Sequence, residues 1–151
     1  MAFAAGSDVA IVDDYNRDMQ TTFILRPGHL TLADLRRARD GHFQFELDAA
    51  CWNEVRAGAA TVERIVAKGD PAYGINTGFG KLANTHIAAD QLEALQRNLV
   101  LSHSAGVGAP MDDRVVKLIL ILKIASLARG RSGVRPLIIE ALLRLLNAGV
   151  Y

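Results

Sequence analysis

A single cysteine, Cys51, stands among the 151 residues, so no internal disulfide framework can form and a reducing compartment suits the chain. Aromatic side chains are scarce at 6%, which leaves the core to Leu, Ile, Val and Ala. Neither sign of charge dominates: 17 Lys and Arg stand against 16 Asp and Glu, a formal net charge of +1. Without a net positive field the chain has nothing to steer a polyanion, which argues against nucleic acid and anionic membrane surfaces as partners. The longest apolar stretch, Val115 to Ala128, falls short of the ~20 residues that a bilayer requires and carries Lys123 inside it. It reads as a core helix. Residues 1–20 lack the basic start of an export signal, and Asp8, Asp13 and Asp14 interrupt any apolar segment there. The expected setting is soluble and cytoplasmic. No metal is expected either, since His86 and Asp90 lack a third ligand nearby and His29 and His42 stand alone.

What is present suits a packed domain: 50% hydrophobic and 22% charged residues in a length that buries roughly 68–70% of its unfolded surface. Residues 1–22 carry no clean period and read as a loose leader. Phe23 to Arg26 is a short strand candidate closed by the turn dipeptide Pro27-Gly28. Thr31 opens a first helix, with Asp34 placed to close a capping box, and Asp40-Gly41 stops it. Phe43 to Leu47 alternates apolar and polar as a second strand. Asp48 is placed to cap a second helix running to about Lys68, with Cys51 on its apolar face. A third helix is expected over about Asp90 to Ala105, and a fourth over about Met111 to Ala128. The fourth is apolar around most of its circumference and should be buried on nearly all sides. Pro136 opens a fifth helix that ends near Gly149. The class is mainly α: about five helices with one or two short strands, no internal repeat and no low-complexity tract.

Between the second and third helices the chain changes character. Gly78 to Ala83 matches the pattern G-x-G-x-x-A of dinucleotide-binding turns, but that pattern requires a preceding strand, and Lys68 to Thr77 cannot supply one. A phosphate-binding P-loop fails too, because Ile75 stands where its first glycine belongs and Leu82 follows Lys81. A surface loop using glycine for positive φ leaves unexplained the crowding of Tyr73, Asn76, Thr77 and Phe79 into one short segment. Tyr73 has chemical reach, since a phenol acts as a base where its surroundings lower its pKa from about 10. Otherwise it is a packing residue. Ser102 and His103 end the third helix. Adjacent helix positions project about 100° apart, so His103 should not activate Ser102 as in a hydrolase, although both could line one pocket. The plainer role for His103 is interaction with the helix dipole. Cys51 reads as a small buried hydrophobe. Arg129, Arg131 and Arg135 read as loop solvation or carboxylate pairing.

Three stretches in this order resemble the N-terminal part of the aromatic amino-acid ammonia-lyases, in particular their histidine-specific branch. They are residues 73–80 (Tyr-Gly-Ile-Asn-Thr-Gly-Phe-Gly), residues 99–110 (Leu-Val-Leu-Ser-His-Ser-Ala-Gly-Val-Gly-Ala-Pro), and residues 121–135 with Leu-Ala-Arg-Gly and Ser-Gly-Val-Arg. The likeness covers about Phe23 to Tyr151, and the eight-residue loop is its most specific part. It implies the N-terminal portion of a long helical fold and non-oxidative loss of ammonia from L-histidine to give urocanate. It assigns Tyr73 as the catalytic base taking the substrate's β-proton, and places Gly80, Ser102 and His103 at the substrate. It further implies a homotetramer with active sites shared between subunits. The family's electrophile is 4-methylidene-imidazol-5-one, formed by cyclisation of an Ala-Ser-Gly tripeptide. No Ala-Ser-Gly occurs here; Ser104-Ala105-Gly106 and Arg131-Ser132-Gly133 have the wrong order. The group cannot form within this chain, so residues 1–151 alone should be inactive. Two alternatives remain: a non-catalytic α-helical interaction/oligomerisation module, which sets the resemblance aside, or a lyase or aminomutase of the same family acting on another aromatic amino acid.

Overall fold

In the computed structural model, which describes residues 21–150, Thr31 and Asp34 close the expected capping box. The Asp34 N–H donates to Thr31 Oγ1 at 3.1 Å, and the Thr31 N–H donates to the Asp34 carboxylate at 3.0 Å. This starts α1 (Leu32–Asp40), the crossover between β1 (Thr22–Leu25) and β2 (Gln44–Leu47). The two strands pair in parallel, with Phe23 opposite Phe45 and Leu25 opposite Leu47. Apart from residues 21 and 22, the stretch read as a leader lies outside the described residues.

The remaining helices are α2 (Cys51–Lys68), α3 (Leu92–His103), α4 (Asp113–Leu127) and α5 (Pro136–Asn147), with 3-10 turns at Gly80–Leu82 and Ala89–Gln91. Among the described residues, the mainly helical class with five helices and two short strands agrees with expectation. α4 packs on α1 and α5, while α5 also meets α2 and β2. Leu25, Val55, Ile121, Ile124 and Ile139 are almost fully buried at the centre. The few aromatics are concentrated: three of the five phenylalanines, Phe23, Phe43 and Phe45, form one cluster with centroids 5.3–6.1 Å apart. Asn147 at the end of α5 joins that cluster's strand like a third strand. Its Oδ1 accepts from the Phe45 N–H at 2.8 Å and its Nδ2 donates to the Phe45 carbonyl at 2.9 Å.

The loop between α4 and α5 lies directly on α2, where Gly58 faces the Gly130 carbonyl. A Cβ at Gly58 would stand 2.3 Å from that oxygen, so only glycine permits the approach.

Three details depart from the sequence expectation. Asp48 does not cap α2; its carboxylate accepts from the Ala50 N–H at 3.0 Å inside the preceding turn, and the helix begins at Cys51. Cys51 itself is only half-buried, with burial and the nearby Asp48 charge pushing its thiol pKa up. The third departure is α4. It is buried along Lys117, Ile121, Ile124, Ala125 and Leu127, yet Val115, Ile119 and Leu122 are exposed, because α1 and α5 pack on one side only. Lys117 is 8% exposed, and its Nζ donates to the Gly41 carbonyl at 2.7 Å, just past the negative end of α1. Burial lowers its pKa.

Candidate active site

The Tyr73–Gly80 loop hangs between the end of α2 at Lys68 and the first 3-10 turn. Its inner residues are locked. Asn76 and Thr77 are each only 2% exposed. The Asn76 Oδ1 accepts from the Ala72 N–H at 2.7 Å, and Nδ2 donates to the Asp70 carbonyl at 2.9 Å. The backbone N–H groups of Ile75 and Asn76 both donate to the Ala72 carbonyl, at 3.0 and 3.1 Å. A short antiparallel bridge pairs Thr77 with His86, flanked by hydrogen bonds from Gly78 N–H to Thr85 O and from Ile87 N–H to Asn76 O. The Thr77 hydroxyl donates to the Gly78 carbonyl at 3.1 Å. These contacts satisfy the buried polar groups of a segment without regular structure.

The outer residues are open. Tyr73 is 67% exposed, and its ring meets Phe79 edge-on with centroids 5.9 Å apart. Gly74 and Gly80 take φ of 76° and 58°, a region costly for other residues, and no atom lies within 4 Å of a Cβ placed on either. A ligand could therefore approach the backbone there while the phenol stays accessible.

Ser102 and His103 are exposed at the end of α3, whose main packing is against the turn that precedes it. Their side chains meet, with Ser102 Oγ and His103 Nδ1 3.0 Å apart, despite the angular spacing of neighbouring helix positions. Both lean back to one carbonyl: Ser102 Oγ donates to Leu99 O at 3.1 Å, and His103 Nδ1 lies 2.9 Å from the same oxygen. A carbonyl only accepts, so the contact with Leu99 O requires a proton on Nδ1 and leaves Nε2 turned away from it. A protonated Nδ1 cannot take the serine proton. The pair is suited to presenting an imidazole to a ligand.

Tyr73 and the Ser102–His103 pair stand on separate elements, and among the described residues no hydrogen bond joins them. Two hollows lie away from both. One, of about 590 Å³, opens between the end of α1 and the start of α4 beside Arg39, Arg114 and Lys117; another, of about 400 Å³, is lined by Arg26, His29, Arg129 and Arg131. Among the described residues no group of three or more His, Cys, Asp or Glu could hold a metal ion, and no helix is long and apolar enough to cross a membrane. The locking roles of Asn76 and Thr77 are invisible in the sequence alone. Their presence in a glycine-rich loop can be read there, but the inward direction of their side chains depends on the turn.

The model of the family described as "Aromatic amino acid lyase" matches residues 30–151. A histidine ammonia-lyase of Aromatoleum aromaticum is 60% identical over 130 residues, covering 86% of this chain and 25% of that protein. Among solved structures, the histidine ammonia-lyase of Trypanosoma cruzi is 33% identical with a TM-score of 0.76, covering 85% of this chain and 25% of that one. The tyrosine aminomutase of Streptomyces globisporus is 30% identical with a TM-score of 0.78, over 87% of this chain and 24% of that one. The chain thus spans about a quarter of the length of the relatives it matches. With the family match running over most of its residues, the chain belongs to the aromatic amino acid lyases.

Proposed function

We propose that residues 73–103 contribute a base and a substrate-selecting pair to a histidine ammonia-lyase, which converts L-histidine to urocanate and ammonia without oxidation. Tyr73 takes the β-proton of the substrate as the amine leaves from the neighbouring carbon. Gly80, with no side chain, leaves room beside the loop, and Ser102 and His103 face the substrate's imidazole. The observation that carries this reading is the loop's construction: a locked base of Asn76 and Thr77 beneath an accessible Tyr73 and an open Gly80. The 60% identity to a histidine ammonia-lyase supports histidine as the substrate class.

The electrophile 4-methylidene-imidazol-5-one does not fit these residues, because residues 1–151 contain no Ala-Ser-Gly. The chain alone should turn over no L-histidine. The proposed assembly is a cytoplasmic homotetramer, consistent with the apolar side chains left exposed on α4 and α5, among them Ile119, Leu122 and Leu137. A lyase or aminomutase for another aromatic amino acid is the second reading, favoured by the backbone likeness to a tyrosine aminomutase.

The test is a substrate comparison in a full-length lyase carrying this segment. L-Histidine should be deaminated, with urocanate absorbance appearing, at a higher kcat/KM than L-tyrosine or L-phenylalanine. Preference for either of the latter would overturn the histidine assignment.

A further inference from the structure

We propose that Asn76 is the positioning residue for Tyr73, clamping the turn from Asp70 to Asn76 so that the phenol is presented in one place; this rests on Tyr73 being the base. Tyr73 has little else to hold it. Its side chain is 67% exposed, and among the described residues its hydroxyl makes no hydrogen bond, leaving the ring contact with Phe79. The position of the phenol is therefore set by the backbone that carries it.

That backbone is tied at Asn76. Four hydrogen bonds converge on this residue: Oδ1 from Ala72 N–H, Nδ2 to Asp70 O, its own N–H to Ala72 O, and its carbonyl from Ile87 N–H. Tyr73 follows directly on Ala72, within the arc that the carboxamide closes. The last of these bonds ties the arc to the segment beyond the Thr77–His86 bridge, so the turn has a fixed footing as well as a closed mouth. The geometry needs a donor and an acceptor side by side, which a carboxamide supplies. A carboxylate has only acceptors and would face the Asp70 carbonyl with no proton between them. An aliphatic isostere has neither group and would leave Ala72 N–H and Asp70 O unpaired. The side chain is 2% exposed, so water cannot readily take its place.

The experiment uses a full-length lyase carrying this segment, in wild-type form and as Asn76→Asp, Asn76→Leu and Tyr73→Phe. Misplacing a reacting group by about 1 Å costs on the order of 100-fold in rate, so kcat of the Asn76 variants should fall about 10- to 100-fold. KM for L-histidine should stay nearly constant, because Ser102 and His103 are untouched. L-Histidine deuterated at the β-carbon should show a larger isotope effect on kcat in the variants, since proton removal becomes the slow step. A role confined to stability would lower the unfolding temperature and leave the isotope effect unmoved, which would overturn the proposal. A variant-free measurement covers poor folding of the variants: the Ala72 amide of the wild-type enzyme should be protected from hydrogen exchange, and exchange at the rate of an open loop would also overturn it. If Tyr73→Phe is inactive while the Asn76 variants keep full kcat, the positioning role fails and the base assignment survives. An active Tyr73→Phe variant removes both.

Discussion

Asn147 offers the sharpest test of how the described elements hold together. It is the last residue of α5, yet its carboxamide pairs with both backbone groups of Phe45, 102 positions away. Asn147→Leu keeps roughly the side-chain volume and removes both hydrogen bonds, each contributing about 1 kcal/mol net. Phe45 is only 3% exposed, so its freed N–H and carbonyl also lose solvation, at about 1–3 kcal/mol per group left dry. A shallow hollow lined by Phe45, Lys117 and Asn147 gives water partial access, which limits the sum, and a loss of about 2–4 kcal/mol is expected. That is a large part of the 5–15 kcal/mol typical of a domain. Urea unfolding followed by far-ultraviolet circular dichroism reads it. Asn147→Asp separates the two bonds: the carboxylate still accepts from Phe45 N–H but meets the Phe45 carbonyl without a proton. Protonation restores the donor, so the stability gap to wild type should narrow as pH falls through the carboxylate range. A loss below about 0.5 kcal/mol for Asn147→Leu, the scatter of ordinary surface substitutions, would refute the third-strand role.

Gly58→Ala should destabilise although alanine favours a helix interior by about 1 kcal/mol, because its Cβ would meet the Gly130 backbone oxygen at 2.3 Å. A net loss of about 1–3 kcal/mol in the same unfolding assay is expected, and a gain would show that the loop moves aside freely. Burial lowers the pKa of Lys117 in the folded chain below its unfolded value of 10.5. Between those two values the unfolded chain binds more protons, so this residue makes stability rise with pH there, and below the window its charge is a standing cost. Unfolding free energies of wild type and Lys117→Met measured at several alkaline pH values should differ in slope, wild type rising more steeply; parallel curves would contradict the burial of the ammonium.

Local signals were legible in the sequence and distant ones were not. The Thr31–Asp34 box, the turn at Pro27-Gly28 and Pro136 at the head of α5 act over three or four residues and stand where they were expected. The parallel pairing of β1 with β2 and the Asn147–Phe45 bridge join residues far apart, which no local pattern encodes. The apolar circumference of α4 predicts a helix surrounded on nearly all sides, but hydropathy records that a surface avoids water and not which element covers it. In the candidate site the residues themselves are visible in the sequence, since glycine, Tyr73, Asn76, Thr77 and Phe79 crowd one loop, but the burial of Asn76 and Thr77 is not. The Ser102–His103 contact is not legible in the sequence, because helix geometry fixes where side chains leave the backbone, while the shared carbonyl of Leu99 decides where they arrive.

The central claim is that this chain supplies the base of an ammonia-lyase from the exposed tip of a locked loop. Its most direct test is urocanate formation from L-histidine by a full-length lyase carrying this segment, with Tyr73 and with Tyr73→Phe. A positioned base contributes about 10²- to 10⁴-fold, so kcat should fall by that factor in the variant while the fold, read by circular dichroism, is unchanged. A Tyr73→Phe enzyme that turns over L-histidine at the wild-type rate would contradict the account.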